Sequence, residues 1–137
     1  MKTFFDSSSF AKRYIEEKGS QMVDDLCQQA SDISISVICI PEIISALNRR
    51  ARERSISQKD YHVIKHALTD DVRDILIINL TDEVISTSIK LLEEHSLRAM
   101  DALHISCALE WGAELFVSSD KKQVYAAGQS GLKAQII

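Results

Sequence analysis

Four acidic residues set the chemical question. Asp6 follows the β-prone run Thr3-Phe4-Phe5, Glu42 stands behind Pro41, Asp101 lies between Met100 and Ala102, and Asp120 follows Leu115-Phe116-Val117-Ser118-Ser119. Taken singly, each has an ordinary use: Asp6 and Asp120 suit helix N-caps, while Glu42 and Asp101 suit first-turn acids facing a helix dipole. Taken together they need another explanation, because no lysine is obviously placed to neutralise them. Two carboxylates about 4 Å apart repel by about 4 kcal/mol at an effective dielectric near 20, so a cluster must protonate or take up a cation. Hard oxygen donors favour Mg2+ or Mn2+. An ion held this way can orient a phosphodiester, lower the pKa of a bound water and stabilise charge on the leaving oxygen. The chemistry expected is metal-dependent phosphodiester hydrolysis.

For these acids to meet, the elements that carry them must end at one edge. Thr3-Phe4-Phe5 predicts a first strand, and Ser7-Ser8-Ser9 supplies cap chemistry for a helix with Phe10, Ala11, Tyr14 and Ile15 at helical spacing, ending at Gly19. A second helix is expected from about Ser20 to Ala30, and Ile33 to Val37 alternates as a strand does. Pro41 fits the first turn of a helix whose stripe is Ile43, Ile44, Leu47 and Ala51. Ser57 to Asp60 has the capping-box pattern of a further helix, to about Asp70 or Asp71. The unbroken run Ile75 to Ile78 predicts a strand covered on both faces, and Thr81 caps a helix to about His95. Ala99 to Trp111 is apolar nearly all round, with Gly112 as its C-cap. Leu115 to Val117 is a fourth strand, Lys121 to Ala127 a short helix and Leu132 to Ile137 a last strand. Such alternation predicts an α/β fold of three layers, with a central parallel sheet of about five strands between helices. Ligands of open parallel sheets bind beyond the carboxyl ends of the strands, which is where Asp6 and Asp120 fall.

Composition sets the frame. With 137 residues, 45% of them hydrophobic, 4 Gly and 1 Pro, the chain should form a single domain over 1–137 with a substantial core. Sixteen Lys and Arg against twenty Asp and Glu give a net charge of −4, which excludes a polycation that coats nucleic acid indiscriminately. Cys27, Cys39 and Cys107 are separated and set among apolar neighbours, which suits reduced core thiols and a cytoplasmic location. No apolar run approaches the roughly 18 residues of a membrane span, so neither a signal peptide nor an anchor is expected.

The same residues resemble a family. Phe4-Phe5-Asp6-Ser7-Ser8 with Ala11-Lys12-Arg13-Tyr14, then Pro41-Glu42, then Arg98-Ala99-Met100-Asp101-Ala102-Leu103-His104, then Phe116-Val117-Ser118-Ser119-Asp120, look like the PIN-domain ribonucleases, and within them the VapC-like toxins of toxin–antitoxin modules. The resemblance covers nearly the whole chain in order. It implies a PIN-like fold, a Mg2+ or Mn2+ site, endonucleolytic cleavage of RNA, a homodimer and an antitoxin partner. By position it makes Asp6, Asp101 and Asp120 metal ligands, directly or through water, with Glu42 completing the acidic site and positioning the attacking water. Ser118 matches a bracing hydroxyl that is usually Thr. Ser7 stands where Thr is common, and Lys122 where some members carry another acid, which bears on whether a second metal binds and on the strength of the activity.

Other signals are weaker. Arg49, Arg50, Arg52, Arg54 and Lys59 suit a solvated helix end, with an RNA or antitoxin contact as the alternative. Lys12, Arg13, Lys121 and Lys122 are nearer the acids and are the first candidates for phosphate contact. His62 and His66 have zinc-compatible spacing, but Val63 stands where a metalloprotease needs Glu. His104, one turn after Asp101, reads as a core histidine outside the catalytic set, and Cys107 as core packing. The rival functional class is a PIN-like binding or scaffolding module, weak or inactive in catalysis, that acts through its dimer or antitoxin contacts. GxGxxG and GxxxxGK loops are absent, which argues against nucleotide binding.

Overall fold

Strands and helices alternate throughout the computed structural model, which describes residues 1–137. The order is β1 (Lys2–Phe5), α1 (Ser7–Phe10) with a 3-10 turn over Ala11–Arg13, α2 (Ser20–Gln29), β2 (Asp32–Ser36), α3 (Cys39–Arg52), α4 (Gln58–Asp71), β3 (Leu76–Ile78), α5 (Asp82–Glu94), α6 (Ala99–Trp111), β4 (Leu115–Ser118), α7 (Lys121–Gln129) and β5 (Ala134–Ile136). All pairings are parallel, in the order β3-β2-β1-β4-β5.

Alternation of side chains along the central strands divides the core into two layers. Phe4 and Phe116, in register on β1 and β4, stack with ring centroids 5.8 Å apart, and they face Val84, Leu91, Ile105 and Ala126 of the helices after β3. Phe5, Leu115 and Val117 face the other way, onto Phe10, Val23, Ile43 and Leu47 of the helices before β3. The sheet is thus sandwiched between α1–α4 and α5–α7, the three layers expected from the sequence.

The run ending at Ile78 forms a parallel strand with Ile77 packed on one core layer and Ile78 on the other, at the edge of the sheet, where Leu76 is 50% exposed. Two local expectations are corrected. The first helix is a single turn capped by Asp6 rather than by the serines that follow it, and it tightens into the 3-10 turn after Phe10. Gly19 does not end that helix; at φ +96°, which suits glycine, it opens α2. Elsewhere the caps are as read: Ser57 and Asp60 form a reciprocal capping box, Thr81 caps α5, and Gly112 closes α6 at φ +77°. No helix is long and apolar enough to cross a membrane.

Candidate active site

The chain leaves β1 in one direction across the sheet and β4 in the other, so a crevice opens at the carboxyl ends of these two strands. Phe5 lies opposite Val117, and the Asp6 N–H donates to the Val117 carbonyl at 3.2 Å. Asp6 and the segment Ser118-Ser119-Asp120 therefore emerge side by side.

Asp6 is fully buried and held from several directions. Its carboxylate accepts hydrogen bonds from the Ser9 N–H at 2.9 Å, from Ser8 Oγ at 2.8 Å and from Ser118 Oγ at 2.6 Å. Ser118 Oγ in turn accepts the Asp120 N–H at 2.9 Å, and Ser8 Oγ accepts the Ser119 N–H at 3.1 Å. The buried Ser118 hydroxyl thus bridges the first acid to the backbone of the last. Asp120 caps α7 through the Lys122 N–H at 2.8 Å.

Glu42 lies in the first turn of α3. Its Oε1 accepts from Ser7 Oγ at 2.6 Å and pairs with His104 Nε2 at 2.6 Å. Burial pushes the Glu42 carboxyl upward, but the hydrogen bonds from His104 and Ser7, with the charge of His104, outweigh it and hold the group below the ordinary glutamate value. Asp101, in the first turn of α6, accepts from Gln123 Nε2 at 3.0 Å. Its carboxyl is raised, first by burial and then by the negative charge of Asp120, with smaller contributions from Asp6 and Glu42 opposed by His104. The four acids therefore share one field, and it is net repulsive at Asp101.

They do not all converge on a common point: no three His, Cys, Asp or Glu side chains stand together as a preformed metal cage. The four acids instead form an acidic face on which Asp6, Glu42 and Asp101 are each held by their own partners. The donor set still fits a hard divalent cation, since it consists of carboxylate oxygens whose mutual repulsion a cation would relieve.

Clefts open on both sides. One, of about 570 Å³, is lined by Arg98, Asp101, Asp120, Lys121 and Lys122, and another, of about 320 Å³, by Ser7, Ser8, Glu42, Arg49 and Arg50. Lys12 is spoken for: it pairs with Glu17 at 3.1 Å and donates to the Lys18 carbonyl at 2.8 Å. Arg13 lies 3.8 Å from both Asp24 and Asp71. Of the four cations read as phosphate contacts, Lys121 and Lys122 line the cleft with Asp101 and Asp120. Burial raises the Cys107 thiol, which removes it as a nucleophile, and the exposed His66 pairs with Asp70 at 3.2 Å.

His104, Ser7 and Gln123 are the residues that sequence reasoning left outside the site. The one-turn spacing of His104 from Asp101 was the available signal. Its 2% exposure agrees with a core position, while its Nε2 faces the acids. Ser7 was marked only by the resemblance, which commonly puts Thr there, and nothing marked Gln123.

Comparison with known proteins gives a consistent picture. The family model for the PIN domain matches residues 3–129. Ribonuclease VapC45 of Mycobacterium tuberculosis is 28% identical over 109 residues, covering 80% of this chain and 76% of that protein. Among solved structures, VapBC2 from Rickettsia felis, bound to a DNA fragment from its promoter, superposes with a TM-score of 0.73 at 15% identity, covering 100% of this chain and 99% of that one. VapC20 of M. tuberculosis, a toxin that cleaves the sarcin-ricin loop, superposes with a TM-score of 0.70 at 15% identity, covering 95% of each chain.

Proposed function

The chain belongs to the PIN-domain family, and from that premise we propose that it is a divalent-metal-dependent endoribonuclease, the cytoplasmic toxin half of a toxin–antitoxin pair. The observation that carries this reading is the acidic crevice between β1 and β4, where Asp101 and Asp120 line one cleft with Arg98, Lys121 and Lys122. The similar VapC ribonucleases and VapBC structures support both the activity and the antitoxin partner.

In this reading Asp6, Asp101 and Asp120 are the residues that would hold Mg2+ or Mn2+, which would supply Lewis-acid chemistry at the phosphodiester. The chain's own residues do the rest. Ser118 fixes Asp6 relative to Asp120. Glu42, kept ionised by His104 and Ser7, accepts a hydrogen bond from the attacking water and orients it. Gln123 holds the Asp101 carboxylate in place, and Arg98, Lys121 and Lys122 attract the RNA backbone electrostatically. A homodimer is part of the same proposal. The outer face of α5, where Ile85, Ile89 and Leu92 are 41%, 51% and 39% exposed at helical spacing, supports it.

The test is cleavage of a labelled RNA in Mg2+ or Mn2+, with and without chelator. Wild type cuts only with metal, and Asp6→Asn or Asp101→Asn abolishes cutting while the far-ultraviolet circular dichroism is retained. Undiminished cleavage in both variants overturns the mechanism. A wild-type protein that cuts no RNA but binds its antitoxin belongs to the scaffolding class instead.

A further inference from the structure

Resting on the nuclease reading and extending it, we infer that the cleft beside Asp101 and Asp120 continues into a base-stacking subsite whose platform is Tyr125. Tyr125 is the most exposed large hydrophobic side chain of the chain, at 66%. Its ring enters none of the chain's aromatic pairs. It follows Lys121 and Lys122 by four and three residues on α7, one turn farther along the same side of the helix. Packing therefore does not account for this tyrosine.

Its position does. A cavity of about 390 Å³ is lined by Leu97, Lys121, Lys122 and Tyr125, together with Glu94 and His95. The neighbouring cleft, of about 570 Å³, shares Leu97, Lys121 and Lys122 and adds Arg98, Asp101 and Asp120. A strand whose phosphate lies against the acids and the lysine pair therefore has its next nucleotide beside the tyrosine ring. Proteins that hold single strands combine a positive track for the backbone with aromatic faces for the bases, and RNA is recognised largely where its bases are unstacked. A duplex, whose bases already stack on one another, offers nothing to this face. Stacking also tolerates any base, so the subsite selects for strandedness more than for sequence.

Binding is measured in the cleavage-dead Asp6→Asn background, by fluorescence anisotropy with a fluorescein-labelled single-stranded RNA of about 12 nucleotides, within the range that single-strand sites span. Adding Tyr125→Ala weakens binding by about 5- to 100-fold, whereas adding Tyr125→Phe stays within about 2-fold, because the ring carries the interaction. A duplex of the same sequence binds the variants alike. With Asp6 intact, Tyr125→Ala raises KM more than it lowers kcat, and it leaves the melting temperature unchanged because the side chain is exposed. Equal affinity and KM for Tyr125→Ala and the parent, in a protein that does cleave RNA, overturn the subsite and leave the nuclease reading intact. Absence of cleavage by wild type overturns the nuclease reading and the subsite with it. Unchanged RNA affinity with lost binding of a polyglutamate peptide reassigns Tyr125 to a protein interface and also overturns the subsite.

Discussion

Ser118→Ala is the sharpest test of how the acidic face is held together. The substitution removes one hydroxyl from a fully buried position and with it two hydrogen bonds: the 2.6 Å donation to Asp6 and the 2.9 Å acceptance from the Asp120 N–H. A hydrogen bond to a charged group contributes about 1.5–3 kcal/mol and a neutral one about 1 kcal/mol. Asp6 keeps its donors at Ser8 and Ser9, so the loss should fall at the lower end, about 2–3 kcal/mol. With about 2.1 cal/mol/K of unfolding entropy per residue, this chain of 137 residues loses about 7–10 °C in Tm. Calorimetry or a dye-based melt reads this directly. Ser119→Ala is the control, because Ser119 engages Ser8 through its backbone N–H alone. Cleavage should fall by about 10- to 100-fold below the melt, as it does when groups that orient metal ligands are removed. A Tm drop under about 2 °C would show that the hydroxyl does not bridge the two acids, and the positioning argument would fail with it.

Two further predictions have opposite signs. Asp101 titrates above its ordinary value, so its ionised form costs stability above the folded pKa, and that cost is relieved as pH falls through it. Asp101→Asn should therefore raise the Tm of the metal-free protein at neutral pH by about 2–4 °C, for a screened repulsion of about 0.5–1 kcal/mol. The gain should vanish on acidification and shrink when Mn2+ is added to both proteins; a variant that melts at or below wild type at neutral pH refutes the repulsion. Glu42 titrates below its ordinary value, so its stabilisation is complete above the unfolded pKa and lost as pH falls through the folded one. With the side chain 33% exposed, the pairing with His104 is worth under about 1 kcal/mol after solvent screening. Glu42→Gln should melt below wild type at neutral pH and converge with it on acidification; a gap that stays constant down to pH 3 removes the pairing from the account.

Much of this was legible in the sequence because it is local. Each strand and helix announces itself by period and cap, and an acid immediately after a strand lands at the sheet's carboxyl edge whatever the strand order. What was not legible depends on partners far along the chain. The run ending at Ile78 announces a strand but not its place, and strand order puts it at the sheet's edge with Leu76 exposed. Lys12 and Arg13 sit close to Asp6 in sequence, but Glu17, Asp24 and Asp71 draw them away from the crevice. Glu42 meets His104 across sixty-two positions, and Asp101 meets Gln123 across twenty-two, contacts that only the packed helices create.

The pairing of β1 with β4 also governs when the acidic site is completed. Asp6 and Glu42 are joined early in synthesis, but Asp101 and Asp120 are not, and the hydroxyl that links the two ends arrives with the last residue of β4. At about 5–20 residues per second, a nascent polypeptide spends several seconds on the ribosome with its central strand open on one side and half of its carboxylates still unmade. On the nuclease reading proposed above, the site is therefore complete only near the end of the chain's own translation.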